Sequence, residues 1–397
     1  MSSSRASLRP ILMAAVLVGA VAFVGWKVSH LLADPAFFPP DDFVEYYAAG
    51  RLNALGQNPY DGDLLLDLEQ KAGRDTDEPV MMWNPPWTLT LAMPVGLIDP
   101  SSARVAQLLW LAVSLVLVIG CSDRLWMEYG GPAAKRWVSW ILALTYVPTL
   151  FVLQAGQIGP FILLGITGFL VAERAGRLWL AGACGVLMAI KPHLVYLFWV
   201  ALAIWAVRRP LPERWKVIAG GLLAGIVATA IPLLCNPHVL GQYWDAMTNR
   251  TPEQWKSPTL GSLLREVFGE DRFGLQFVPT VIGLGWLVIH AWRHGSREWD
   301  WSEQMPLVLL VSFATASYGA WPFDLVILLP AVIYVAAGLA RDASRPRIAL
   351  GVLLFVAINA GALAMNLLQI KSDRFVWMAP SLLVAYVLLR PRSSVAP

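Results

Sequence analysis

Charge is scarce in this chain of 397 residues: Asp, Glu, Lys and Arg together make up 14%, where soluble domains carry about a quarter. That scarcity excludes a soluble globular enzyme, a disordered chain and a nucleic-acid-binding protein, all of which rely on charged surfaces. Cysteine is also rare. Cys121, Cys184 and Cys235 lie far apart in or beside apolar runs, with no CxxC pair, so neither a disulfide framework nor a zinc site is supported. Zinc-protease, P-loop, Rossmann and serine-hydrolase motifs are absent, and there is no internal repeat or low-complexity tract. What the chain has instead is 57% hydrophobic residues, a mean hydropathy of +0.57 and 19 tryptophans. It reads as an all-α integral membrane protein, a single polytopic domain over residues 1–397, with tryptophan belts at the interfaces.

Apolar runs fall near 10–32, 105–121, 138–153, 158–172, 178–190, 193–207, 217–235, 277–292, 305–318, 323–340, 347–370 and 375–390, predicting about 12 transmembrane helices. Arg5 and Arg9 precede the first run without a clear A-x-A cleavage site after it, so the run is expected to be a retained span. A further run, 83–98, holds Pro85, Pro86 and Pro94 and makes a poor single span. With 83–98 outside the bilayer plane, the loops alternate cleanly. One side then carries 18 Lys/Arg against 8 acids, the other 11 against 19. The positive-inside rule makes the first side cytoplasmic, both termini included. The expected topology is therefore that of a multi-pass membrane protein with two outer loops. The first, 33–104, carries 83–98 as an amphipathic or re-entrant surface helix; the second, 236–276, contains a short helical pattern from Leu260 to Phe268.

Polar residues at membrane depth are costly and point to function. Asp41 and Asp42 follow Pro39–Pro40. Gln154 and Gln157 lie in one turn, Lys191 and His193 flank Pro192 in another, and Asp324 closes the segment from Ser317. On the topology above, all face outward, and no comparable cluster faces the cytoplasm. Carboxylates, amides and cations on one membrane face suit transfer chemistry on an anionic lipid. A carboxylate can serve as general base; Lys, His or Arg can hold a phosphate as it leaves; amides and tyrosines can bind sugar hydroxyls. Each residue also has a structural reading. Asp41–Asp42 or Asp324 could cap helices, the glutamines could join helices, Lys191 could snorkel and His193 could be structural. Gly221 and Gly225 form a GxxxG that reads as helix packing.

The segment Asp42-Phe43-Val44-Glu45-Tyr46-Tyr47-Ala48-Ala49-Gly50, followed by Asn58-Pro59-Tyr60-Asp61, resembles the opening signature of glycosyltransferase family 87. Trp83-Asn84-Pro85-Pro86-Trp87 is similar to that family's Tyr-Pro-Pro-Leu segment, with Asn84 in place of the usual Tyr and Trp87 in place of Leu. Gly156–Gln157 resembles its Gly-Gln turn, and Ala181–Gly182 through Ile190-Lys191-Pro192 its Ala-Gly…Ile-Lys-Pro motif. Pro258 to Arg265 and Ser317 to Asp324 resemble its two later motifs, the last with Asp324 where some members carry His.

The resemblance implies a GT-C fold with surface helices in the first outer loop, and inverting transfer from a sugar carried on a polyprenyl phosphate. Known members are mannosyltransferases of cell-envelope glycolipids, which makes mannose the first expectation. Carried over, Asp42 is the catalytic base, with Asp41 in reserve. Lys191, with His193 or Arg265, is expected to hold the donor phosphate. Tyr46, Tyr47, Gln157, Asp324 and Asn84 are candidates for sugar or acceptor contact. The expected partners are the polyprenyl-phosphate-linked donor, a lipid or glycan acceptor and the bilayer, without nucleic acid. No cofactor is required; a divalent metal could sit at Asp41/Asp42, though nothing in the spacing demands one. Two alternatives stand beside this reading: a transporter or flippase for a lipid-linked saccharide, which would need polar residues reaching both faces, and a polymer ligase using an undecaprenyl-diphosphate-linked donor. The late outer loop holds only His238 among histidines, which favours the transferase over the ligase.

Overall fold

The computed structural model describes residues 39–208, 213–250, 256–295 and 299–391. The expected first span, 10–32, lies outside the described residues. Among the described residues all regular structure is helical, with no strand.

Helices α1 (Phe43–Ala54), α2 (Gly62–Lys71) and α3 (Leu89–Gly96) come first. Asp61 starts α2 by accepting from the backbone N–H groups of Asp63 and Leu64, the interaction that makes Asp a favoured N-cap. The 83–98 run folds as a 3-10 turn, Pro86–Thr88, leading into α3. At eight residues α3 rises only about 12 Å, well short of a ~30 Å hydrocarbon core. It lies against α1 so closely that a Cβ on Gly50 would stand 2.4 Å from the Ala92 carbonyl oxygen.

The bundle continues with α4 (Ala103–Glu128), α5 (Trp137–Thr145), α6 (Val147–Ala155), α7 (Gly159–Arg174), α8 (Leu178–Met188), α9 (Tyr196–Arg208) and α10 (Trp215–Cys235). Two short helices follow, α11 (Val239–Asn249) and α12 (Leu260–Phe268), then α13 (Val278–His294), α14 (Trp301–Ala314), α15 (Leu329–Asp342), α16 (Arg345–Leu367) and α17 (Met378–Leu389). Helix α12 covers the short pattern expected in the second loop.

Among the described residues six helices are long and apolar enough to cross a bilayer, and the chain is a multi-pass membrane protein. The expected span 138–153 is instead two helices, α5 and α6, bent by 53°. The cause is Pro148, the second residue of α6: its ring and missing N–H keep the ladder of α5 from continuing into α6. Asn359 of α16 repairs the break by accepting from the Val147 N–H at 2.7 Å. Four other apolar runs form α7, α8, α9 and α14, of 16, 11, 13 and 14 residues. Each is shorter than a full crossing, so helix length alone carries fewer than the 12 spans expected.

Helices α8 and α10 pack through glycines. A Cβ on Gly182 would lie 1.9 Å from the Val217 carbonyl, and one on Gly220 2.2 Å from that of Trp179. The seam is therefore Gly182 with Gly220 and Gly221, whereas Gly225 of the expected GxxxG meets only Val186, at 3.9 Å. Leu222, Ile226, Val352, Leu353 and Val356 of α10 and α16 stay exposed, as lipid-facing residues do. The interior is aromatic: Trp126, Trp301, Tyr46, Tyr47, Phe169 and Phe198 are fully buried.

Candidate functional site

Gln157 is the hub of the polar centre, and its position is fixed by the turn between α6 and α7. Gly156 ends α6 at φ +70°, a left-handed conformation that glycine adopts without Cβ strain. A Cβ there would also stand 2.6 Å from the Cβ of Phe43. Trp110 of α4 donates from Nε1 to the Gly156 carbonyl at 2.8 Å and stacks on Tyr46 at 5.4 Å between ring centroids. The turn is thus clamped between α1 and α4.

From that position the Gln157 amide makes three side-chain hydrogen bonds. Its Nε2 donates to Asp42 Oδ2 at 2.8 Å. Its Oε1 accepts from the Tyr46 hydroxyl at 2.8 Å and from Lys191 Nζ at 3.0 Å. Lys191 also donates to Asp324 Oδ1 at 2.7 Å, and Asp324 Oδ2 accepts from the Trp321 N–H at 3.2 Å. Four separated segments thereby contribute one chain: Asp42, Gln157, Lys191, Asp324. Lys191 keeps 12% of its side chain exposed and Asp324 1%. An ammonium has three donors, so Lys191 retains one for an incoming oxygen.

Asp42 occupies the N-cap position of α1, but its side chain caps nothing and turns instead to Gln157. Lys191 does not snorkel outward; it is anchored in the chain above. Gln154, one turn before Gln157, is exposed and outside the network. Burial raises the Asp42 carboxyl above its usual range, against the lowering effects of the Gln157 hydrogen bond and the Lys191 charge. Asp324 adds to the rise and Arg74 opposes it. Asp41 is exposed at its outer edge, yet the surrounding protein and the Asp42 charge push its carboxyl up to about 6.

His193 also keeps an exposed edge, while the enclosing protein and the Lys191 ammonium hold its imidazole down at about 4, so it is neutral at pH 7. The loop from Ser317 comes very close to it: a Cβ on Gly319 would stand 2.7 Å from His193 Nε2. Gly319 and Ala320 both have positive φ, +72° and +58°. For Ala320 that conformation costs about 1–2 kcal/mol, a local strain in the loop that delivers Asp324.

Other candidates are placed differently. Tyr47 donates to the Ile98 carbonyl at 2.8 Å, on the α3 side of α1, away from Gln157. Asn84 tethers the first loop to the Lys191 turn, donating to the Ile190 carbonyl at 3.4 Å while its own carbonyl accepts from Tyr60 at 3.3 Å. Arg265 of α12 is held outside the network, donating to the Glu270 carbonyl at 2.7 and 3.1 Å and lying over the Phe273 ring. Among the described residues no group of three or more His, Cys, Asp or Glu is placed to hold a metal ion.

A third carboxylate, Glu45 of α1, joins Asp41 and Asp42 at this end of the helix. It follows Asp42 by three residues, on the same helical face, and is 6% exposed. Burial, with the nearby Asp42 charge, raises its carboxyl well above the usual range. The i, i+3 spacing from Asp42 was the signal that could have found it.

The helical bundle and its polar chain define a multi-pass membrane protein with one assembled centre of carboxylate, amide and ammonium groups. The profile of glycosyltransferase family 87 matches residues 83–316, more than half of the chain, and the chain belongs to that family. It is a membrane glycosyltransferase, acting between a sugar donor and an acceptor in the setting of a bilayer. The matched stretch includes Asn84, Gln157, Lys191, His193 and Arg265; it starts after Asp41, Asp42, Tyr46 and Tyr47 and ends before Asp324. No curated protein and no solved structure matches the chain.

Proposed function

We propose that the chain is a GT-C type glycosyltransferase that moves a hexose, mannose first among the candidates, from a polyprenyl phosphate to a hydroxyl of a lipid or glycan acceptor. The observation that carries this reading is the hydrogen-bonded convergence of Asp42, Gln157, Lys191 and Asp324. Asp42 takes the proton of the acceptor hydroxyl; its raised carboxyl is a stronger base than an exposed one. The acceptor oxygen attacks the anomeric carbon from the face opposite the phosphate, which inverts the centre. The bond to the phosphate oxygen breaks with its electron pair, and polyprenyl phosphate leaves. Lys191 stabilises that growing negative charge with its remaining donor. A phosphate monoester needs little protonation to leave, so no separate general acid is required. His193, neutral, serves as a hydrogen-bond partner near the phosphate. Asp324 and Gln157 hold Lys191 and Asp42 in place, with edges that can meet sugar hydroxyls. The site faces the periplasm and both termini the cytoplasm, in a bacterial inner membrane, with residues 33–104 and 236–276 as the two outer loops.

The test is an assay of purified protein with a panel of polyprenyl-phosphate hexoses and a membrane-lipid extract as acceptor, scored by release of free polyprenyl phosphate. Release from at least one donor is expected. No release from any donor, with release from a polyprenyl-diphosphate donor instead, would overturn the proposal in favour of a ligase.

A further inference from the structure

A second polar recess lies beside the first centre, between α12 and the 3-10 turn Ser372–Trp377. It encloses about 90 Å³, enough for several water molecules at roughly 10–15 Å³ each by this measure. Three cations line it, Lys256, Arg265 and Arg374, with three carboxylates, Glu266, Glu270 and Asp373. The charges balance, and the cations are already engaged: Lys256 with Glu270 at 2.6 Å, Arg374 with Glu266 at 2.9 Å. An anion pairing with Lys256 or Arg374 would have to displace a carboxylate, and Arg265 is turned to the Glu270 carbonyl and the Gln276 amide. A neutral polyol would not, since each hydroxyl can donate to a carboxylate and accept from a guanidinium.

Two lining atoms await a partner. Ser257 is 1% exposed, and among the described residues its Oγ finds no hydrogen-bond partner; nor does Oδ1, the inward oxygen of the half-buried Asp373. Buried polar atoms left unpaired are costly, and one that lines a recess is explained by a ligand that pairs with it. The recess is also connected to the first centre. Thr259, which caps α12, donates to the Ser317 carbonyl at 3.4 Å, and Gln276 donates to the same carbonyl. Ser317 opens the loop that ends in Asp324, so the recess borders the end of the bundle where Lys191 and Asp324 meet.

We propose that this recess is a subsite for a neutral sugar unit of the acceptor, held by the Ser257 and Asp373 oxygens and by the ion-paired rim. The proposal rests on the glycosyltransferase reading with a glycan-bearing acceptor. It moves Arg265 from the donor phosphate to acceptor recognition.

The experiment is saturation-transfer NMR on the full chain in nanodiscs, with methyl α-mannoside as the neutral probe and inorganic phosphate as competitor. Ser257→Ala removes only the orphaned hydroxyl and, by relieving an unpaired buried group, should leave the fold intact. Wild type and Asp42→Asn are expected to show saturable mannoside binding that phosphate does not displace. Ser257→Ala should weaken it about fivefold, the loss of roughly one hydrogen bond. The double variant Glu266→Gln/Arg374→Gln, neutral in net charge, should weaken it further. Undiminished binding by Ser257→Ala, displacement by phosphate, or no saturable binding at all would each overturn the proposal. The glycosyltransferase reading is scored separately by polyprenyl phosphate release from wild type, so failure of one is distinguishable from failure of the other.

Discussion

Gln157→Leu is the perturbation that reaches furthest into the site. The substitution keeps the side chain's approximate size and removes three hydrogen bonds at once. Lys191 keeps Asp324, and Asp42 keeps some solvent, but the Tyr46 hydroxyl is wholly buried and loses its acceptor. Leaving such a donor unpaired costs about 1–3 kcal/mol. That cost disappears if the hydroxyl is already absent. In a cycle with Tyr46→Phe, measured by unfolding in detergent, Gln157→Leu should therefore destabilise less by about the same 1–3 kcal/mol. The variant also carries a pH signature. The Gln157 hydrogen bond holds the Asp42 carboxyl down against burial, so its loss lets that carboxyl rise further. A general base works deprotonated, so the acid limb of kcat/KM for sugar transfer should move to higher pH. Freed from the amide, Asp42 is also less well aimed, for which about 10²-fold in kcat is a reasonable scale. An additive cycle together with an unmoved or lowered acid limb would refute the claim that Gln157 orients Asp42.

Lys191→Met leaves the buried Asp324 carboxylate without its cation, and should cost about 3–5 kcal/mol of stability; Lys191→Met/Asp324→Leu should recover most of it. Donor affinity should fall about 10- to 100-fold in both variants, and its return in the double variant would remove Lys191 from the phosphate. Glu45 is a stability reporter. Its carboxyl is raised well above 4.5 in the folded chain, so the folded state holds the proton more tightly than the unfolded one. Its contribution is fully present below pH 4.5 and is lost as pH rises through the folded value. Glu45→Gln, neutral throughout, should give an unfolding midpoint that declines less between pH 5 and 9 than that of wild type; an identical decline would show that Glu45 is not the group responsible.

Much of this architecture was legible in the chain. The scarcity of charge marked a membrane protein, the prolines of 83–98 argued against a span, and the scattered polar residues at turns between apolar runs named most of the centre. Partner choice was not legible. Residues 43 to 50 of α1 are buried on every side, so no polar face showed whether Tyr46 or Tyr47 would meet Gln157; the 100° between neighbouring helical positions sends one to Gln157 and the other to Ile98. The GxxxG of α10 gave the right helix and one right glycine, Gly221, which meets Gly182; the second close approach is made by Gly220 against Trp179 rather than by Gly225, a register that depends on how far two helices slide. Arg265 carries the right charge for a phosphate and stands behind the Ser317 loop, a placement set by Thr259 and Gln276 rather than by its own neighbours. Pro148 was a readable break in 138–153, hidden by the continuity of the apolar run around it.

The central claim is that Asp42 is the base. The direct measurement is polyprenyl phosphate release by Asp42→Asn, in protein shown by its unfolding midpoint to be folded and by titration to bind donor lipid as wild type does. Asparagine keeps the shape and removes the proton acceptor, so transfer should fall about 10²–10⁴-fold, the usual contribution of a general base. Release within about twofold of wild type, far below that range, would contradict the account.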